Sequence, residues 1–343
     1  ALKALIKPGQ EVVLSPYTIY EVINMVICAG GKPVFGDIER ATCNIDAQEI
    51  EALVNEKTGA VLVTHLHGLA CDIERIRDVC HHNSIPLIED CAQAFGCTVA
   101  GQRVGTFGQA GIYSFGMAKN VNSFFGGMLV TDDHVLANRI RNEIASWPYF
   151  DRKTLMHRVA FCLAGDVITS QPIFWMGPYW AFRYGYLHNV RALNNHLRGE
   201  DDPVRKDRIP ESYLRQLRPG QGTLIRRQIK QVDAFTNVRR SYAKLYHENL
   251  KDLSDVIIPP LRLDGSHIYQ TFPIQVSNRE ALLRYLTVHL RDLTIQHLRN
   301  TAGLSCYGEF NRNCVNAEAT ANSVLLLPTY PSYGRRNVER NIM

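Results

Sequence analysis

Four residues whose types can share one piece of chemistry stand at the ends of successive strand-like runs in this 343-residue sequence: Asp90, Gln93, Ser114 and Lys119. The apolar run Pro86-Leu87-Ile88 ends in Glu89-Asp90, and Gln93 follows three residues later. A second run, Ala110 to Phe115, leads to Lys119, and a third, Met128 to Thr131, follows a Gly-Gly pair. Short apolar runs bounded by glycine predict buried parallel strands. Ligands of open α/β sheets sit just past the carboxyl ends of such strands. A lysine amine placed there can form a Schiff base with an aldehyde cofactor, while a carboxylate pairs with the protonated ring nitrogen of pyridoxal phosphate. Gln93 would then orient the ring's phenolic oxygen, and the Ser114 hydroxyl would bind the phosphate. Taken singly, a strand-end Asp is as often a helix cap, and a lone Lys is usually a solvated charge. The ordered set of four is what points to one site.

The segments Glu89-Asp-Cys-Ala-Gln-Ala-Phe-Gly96 and Ser114-Phe-Gly-Met-Ala-Lys-Asn120 resemble the signature segments of the DegT/DnrJ/EryC1/StrS aminotransferases. The likeness extends through Gly9-Gln-Glu-Val-Val, Pro33-Val-Phe, Asp37, His65-Leu-His-Gly68, Gly101-Gln-Arg-Val-Gly105 and Leu326-Leu-Pro-Thr-Tyr-Pro331, covering residues 1–147 and 228–343. The resemblance implies a fold type I α/β protein: a mostly parallel sheet flanked by helices, with a smaller α+β C-terminal domain. It implies pyridoxal 5'-phosphate as cofactor, with Lys119 and Asp90 catalytic and Gln93, Ser114 and His65 beside the cofactor. An aromatic residue of the Ser15-Pro-Tyr-Thr-Ile-Tyr20 stretch is expected to stack on the ring. The aligned position is Ile19, so Tyr17 is the cofactor candidate, and Tyr20, His267 and Tyr269 are substrate candidates. The partners implied are a second copy of the chain in a homodimer with shared sites, an amino donor (glutamate) and a nucleotide-linked keto-sugar acceptor. Leu214 stands where the family has an Asn that reaches the partner's site. The family's phosphate-binding Gly-Ser/Thr turn would lie just upstream of residue 1.

Length predicts one large domain and a smaller one; the expected division is 1–147 for cofactor binding, 148–227 for a divergent insertion, and 228–343 for the smaller domain. A composition 45% hydrophobic and 21% charged is ordinary for a globular chain. The net charge of +5 is too modest for a nucleic-acid footprint. Nine scattered cysteines show no zinc-like spacing and fit reduced thiols in the cytoplasm. No signal peptide is visible. His65, His67 and Asp72 make a poor metal set, two ligands one residue apart without a third partner, so no metal is expected.

From residue 11 the rhythm is strand–helix. Strands are expected at 11–14, 33–35, 60–64 and 87–89, alternating with helices over 18–29, up to Asn55 behind an Asp46 cap, and over 72–82. After residue 228, helices are expected over 232–250 and 279–289, and strands over 267–276, 293–296 and 324–327. Residues 148–227 break this pattern. The aromatic stretch 159–187 is interrupted by Asp166, Pro172, Pro178 and Arg183, which rejects a membrane span. Three readings remain open: a helical insertion packed on a partner subunit, a wall for an apolar substrate, or peripheral membrane contact. Residues 203–230 carry eight basic side chains against two acidic ones, suiting a solvated face or a phosphate clamp. An aminotransferase acting on a nucleotide-linked keto-sugar is the leading reading. A lipid-linked or apolar carbonyl acceptor and a non-catalytic scaffold are the alternatives.

Overall fold

In a computed structural model, residues 1–190, 203–291, 294–295 and 297–343 are described, apart from the side chains of Gln171, Pro172 and Thr294. A six-stranded sheet runs in the order Lys32–Phe35, Glu11–Leu14, Thr58–Thr64, Leu87–Asp90, Ala110–Ser114 and Gly127–Val130. The first five strands are mutually parallel and the last is antiparallel to its neighbour. Each early crossover is a helix: Tyr20–Cys28, Ala47–Leu53 or Ile73–His82. Asp46 caps the second of these by accepting the Gln48 N–H, as the sequence predicts.

The central parallel strands are largely apolar because both faces are covered. All seven residues of Thr58–Thr64 are buried. Strand alternation then sorts the side chains. Val12, Leu14, Ala60, Leu62 and Ile88 enter one core, while Val13, Val61, Val63 and Leu87 enter the core on the opposite face. The same rule parts the two acids that end the fourth strand: Glu89 lies on the Leu87 side and Asp90 on the Ile88 side.

A smaller antiparallel sheet follows, ordered Val256–Ile257, Phe272–Val276, Val324–Leu327 and Thr294–Ile295. The helices Val232–Leu250, Arg279–Val288 and Arg335–Ile342 pack their Tyr242, Tyr246, Leu283 and Val338 onto it. Val324–Leu327 is buried on both faces. Val324 and Leu326 join the core that holds Val12 and Leu14, whereas Leu325 and Leu327 join the core of the smaller sheet. One four-residue strand therefore belongs to both layers.

Two expectations are corrected. Met128–Thr131 was expected as a buried parallel strand, but Gly127–Val130 is an antiparallel edge strand with Met128 exposed. The strand expected over 267–276 starts only at Phe272, because Tyr269 adopts a left-handed φ of 49° and residues 266–270 bond instead to the loop 67–70. The strand expected over 293–296 falls partly outside the described residues; Thr294–Ile295 is a strand.

Candidate active site

Asp90 and Ser114 end neighbouring parallel strands, so the sheet brings them to one edge. Gly116 lies between Ser114 and Lys119: a Cβ built on it would stand 3.6 Å from Ser114 Oγ and 4.0 Å from Lys119 Cγ. Asp90 Oδ1 accepts the Ala92 N–H at 2.9 Å, and the other oxygen has no protein partner among the described residues. Burial raises the Asp90 carboxyl above its ordinary value, while the Ala92 N–H and the Lys119 charge work the other way. Burial likewise lowers the Lys119 amine, and Asp90 opposes that shift. Both side chains keep some solvent contact. Both groups are desolvated, still reach water and sense each other's charge, and no ion pair joins them among the described residues.

The lysine loop is held from three sides. Gln270 Nε2 donates to Ala118 O at 3.1 Å. The Gln228 amide clamps Asn122 at both its N–H and its carbonyl, and Gln221 Nε2 donates to Ser123 O at 2.8 Å. Gln93 Oε1 accepts the His67 N–H at 2.8 Å. That bond fixes the amide, and its NH2 donor has no protein partner among the described residues. The loop holding His67 lies tight against residues 266–270. A Cβ at Gly68 would fall 2.6 Å from Ile268 Cγ1 and 3.0 Å from the Gln270 N, at a φ of 80°, so only glycine fits there.

Other expected site residues lie elsewhere. Tyr17 is fully buried in the core beside Ile23 and Phe35, so both ring faces are covered and it offers no stacking surface. Tyr20 opens the helix Tyr20–Cys28, with the Lys206 ammonium 5.9 Å from its ring. His67 and His65 differ sharply. His65 accepts the Cys71 N–H at Nδ1 and turns its Nε2–H to Glu89 at 3.3 Å, so neither nitrogen is left for a cofactor. Its backbone N–H binds Asp90 O, which places it behind the carboxylate rather than in the cleft. His267 and Tyr269 are stacked on each other at 3.5 Å and wholly buried, without a surface for substrate.

Glu89 is the hub of this region. Its carboxylate accepts N–H groups from Gly105, Phe107 and Gly108 at 2.6, 2.7 and 2.8 Å. Burial opposes its ionisation, but His65 and the backbone donors outweigh burial and hold it below the ordinary range. His65, Glu89 and Cys91 present ligand-type atoms within 4.8 Å of one another. Burial pushes the Cys91 thiol up to about 11, and the Glu89 oxygens are filled by backbone donors, so the cluster is a hydrogen-bond hub.

Sequence reasoning missed Gln270, Arg239 and the role of Glu89. Gln270 Oε1 is buried without a partner, directly behind the lysine loop. Arg239 donates to Gln270 O at 2.8 Å, and burial pulls its guanidinium down to about 10. The only signal for Gln270 was its place next to the singled-out Tyr269; Arg239 sits in an ordinary helical pattern and gave none. Glu89 was detectable, since two acids ending one strand must point to opposite faces.

Burial also lowers His67 to about 4 from an ordinary 6.5. The unfolded chain therefore takes up this proton first as pH falls. The stabilisation is complete above the unfolded value and drains away towards the folded one, amounting to about 3 kcal/mol for this group. His67→Asn, which tolerates the left-handed φ of 56° at this position, is expected to flatten the fall of the urea midpoint between about pH 7 and about pH 5. An unchanged slope would refute this assignment.

A cleft of about 370 Å³ opens beside the lysine loop, lined by Phe124, Arg152, Leu155, Val159, Arg218 and Leu224. Arg218 donates to Phe150 O at 2.6 Å, while the exposed Arg152 has no partner among the described residues.

A sequence model of the DegT/DnrJ/EryC1/StrS aminotransferase family matches residues 1–154 and 189–342. GDP-perosamine synthase of Vibrio cholerae is 37% identical over 147 residues, which cover 42% of this chain and 40% of that protein. UDP-N-acetyl-3-dehydro-alpha-D-glucosamine 3-aminotransferase of Acidithiobacillus ferrooxidans is 26% identical over 99% of this chain and 78% of its own length. Among solved structures, the aminotransferase TlmJ from Streptoalloteichus hindustanus superposes with a TM-score of 0.72 at 24% identity, covering 99% of this chain and 79% of that one. Fold and family match together define a pyridoxal phosphate-dependent aminotransferase of fold type I. The chain belongs to the DegT/DnrJ/EryC1/StrS aminotransferase family.

The donor set fits this cofactor. A carboxylate with one oxygen and an amide with an NH2 that have no protein partner among the described residues, a hydroxyl and a desolvated amine lie at or just past the ends of neighbouring strands. No described helix is long and apolar enough to cross a membrane.

Proposed function

We propose that this aminotransferase carries an amino group from an amino acid, glutamate by family resemblance, to a nucleotide-linked keto-sugar. The observation that supports the chemistry is the convergence at one sheet edge: Asp90 and Ser114 end neighbouring parallel strands, and a Cβ on Gly116 would stand 3.6 Å from Ser114 Oγ and 4.0 Å from Lys119 Cγ. Pyridoxal phosphate supplies the electron sink and the carbon that holds the amine in transit. Lys119 would move the proton between the substrate's α-carbon and the cofactor in each half-reaction, a task that its burial-lowered basicity suits. Asp90 would keep the pyridine nitrogen protonated. Gln93 would offer its NH2 to the phenolic oxygen, and Ser114 its hydroxyl to the phosphate. Gln270 positions Lys119 by holding the Ala118 carbonyl. The 1–147 and 228–343 portions form the cofactor-binding and smaller domains of this reading, and the site is completed in a homodimer.

The acceptor assignment draws on GDP-perosamine synthase and the UDP-sugar 3-aminotransferase as relatives. The cleft beside the lysine loop is large enough for a small-molecule site and carries Arg152 and Arg218, whose planar guanidinium groups suit a diphosphate. A lipid-linked acceptor and a decayed scaffold are both disfavoured by these relatives and by the complete donor set. The test is to load the protein with the aminated cofactor and offer nucleotide-linked keto-sugars, free keto-sugars and simple keto acids. Discharge by the nucleotide-linked compounds alone is expected; equal discharge by free sugars would reject the acceptor class. Asp90→Asn should lower kcat by about 10²–10³-fold with little change in cofactor content. A loss below about tenfold would remove Asp90 from its role.

A further inference from the structure

The helix Arg152–Thr169 has no fully buried residue, although most of its length after Thr154 is apolar. Leu155 and Val159 line the cleft, whereas Met156, Phe161, Leu163 and Val167 are each more than half exposed. Met156, Leu163 and Val167 follow at spacings of seven and four, which stack on one helical face, while the exposed Phe161 and Ile168 stand roughly 120–140° round the helix on a second face. The helices Gln171–Met176 and Pro178–Leu187 extend the surface. Their tyrosine hydroxyls are tied to the protein: Tyr179 donates to Thr287 O and Tyr186 to Glu280 Oε1, both at 2.7 Å. Their bulky apolar groups are not, and Trp175, Met176, Trp180 and Tyr184 are exposed. The Trp180 N–H is already bonded to Trp175 O at 3.1 Å, and the Arg183 guanidinium lies 5.4 Å from the Trp180 ring.

The charges around this face are predominantly of one sign. Lys153, Arg158 and Arg183 stand against the single acid Asp166 between residues 153 and 187. Arg226, Arg227 and Lys230, along the neighbouring helix Pro219–Ile229 and just beyond it, are exposed and form no ion pair among the described residues. The core of the patch, 155–188, is the stretch outside the family match.

We propose that this surface seats the enzyme on an anionic lipid membrane, with the apolar face in the headgroup layer and the cations among the phosphates. Exposed apolar patches of this extent mark a partner or a membrane. Tryptophan, tyrosine and arginine together suit an interface that is apolar on one side and wet on the other. A twofold contact with a second copy would set the same patch, and so the same cations, against itself. Anionic headgroups are the complementary occupant. The contact lies in the membrane plane, because no described helix can cross.

The test uses purified, cofactor-loaded protein sedimented with phosphatidylcholine vesicles, with and without phosphatidylglycerol, alongside the triple variant Phe161→Ser, Trp175→Ser, Trp180→Ser. The wild type is expected to sediment with the anionic vesicles and to bind the zwitterionic ones at least about tenfold less. High salt should weaken binding, and the triple variant should stay in solution while retaining transamination of a soluble acceptor. Failure of the wild type to bind anionic vesicles, or equal binding by the triple variant, would overturn the proposal. So would a triple variant that sediments as a smaller oligomer than the wild type, since the face would then be an interface between copies.

Discussion

Lys119→Ala is expected to lower the single-turnover rate of transamination by on the order of 10²–10⁴-fold while leaving the fold intact. The size of the effect follows from the lysine's position. Its amine is desolvated, which lowers the cost of giving up a proton, and the Asp90 charge opposes that shift without reversing it. No other described lysine or histidine faces Asp90 in this way: His65 sits behind it with both nitrogens engaged, and His67 is bonded to Thr271. Lys119→Arg separates charge from chemistry, because guanidinium keeps the positive charge but cannot release its proton near neutral pH. It should therefore fail as badly as the alanine variant. Absorbance of the cofactor in stopped flow reads the rate, and thermal melting checks the fold. Activity within about tenfold of wild type in either variant would remove Lys119 from the proton transfer.

The largest effect on stability is expected at Glu89. Its carboxylate is inaccessible to solvent, satisfies three backbone N–H groups of the 105–108 turn and holds His65. Glu89→Leu would strand those donors in a core that admits no water, at roughly 1–3 kcal/mol for each unsatisfied group. A total of about 4 kcal/mol or more is a large part of the stability of an ordinary domain. Glu89→Gln keeps one acceptor oxygen but turns an NH2 towards N–H donors, so it should fall between leucine and wild type. Urea unfolding midpoints rank the three, and a loss below about 1 kcal/mol for the leucine variant would mean that the turn finds other partners. Because the His65 backbone N–H also binds Asp90 O, the leucine variant should loosen Asp90 as well.

The layered α/β architecture was legible in the residues themselves. Strands 11–14, 58–64 and 87–90 announce themselves because a sheet covered on both faces demands largely apolar runs, and that demand is local in sequence. The same rule is what nominates Asp90, Gln93, Ser114 and Lys119 as one proposed site: strand ends in a parallel sheet share one edge. Only the tertiary structure decided what lies behind them. Tyr17, His65, His267 and Tyr269 have the right types for a site, yet the fold buries them, since burial depends on which distant segments close over a residue. Gln270 reaches the lysine loop from 152 residues away, and the strand Val324–Leu327 serves two cores at once. Strand periodicity is written in neighbouring residues, whereas contact across the chain is set by packing, and packing is fixed only when all the layers are in place.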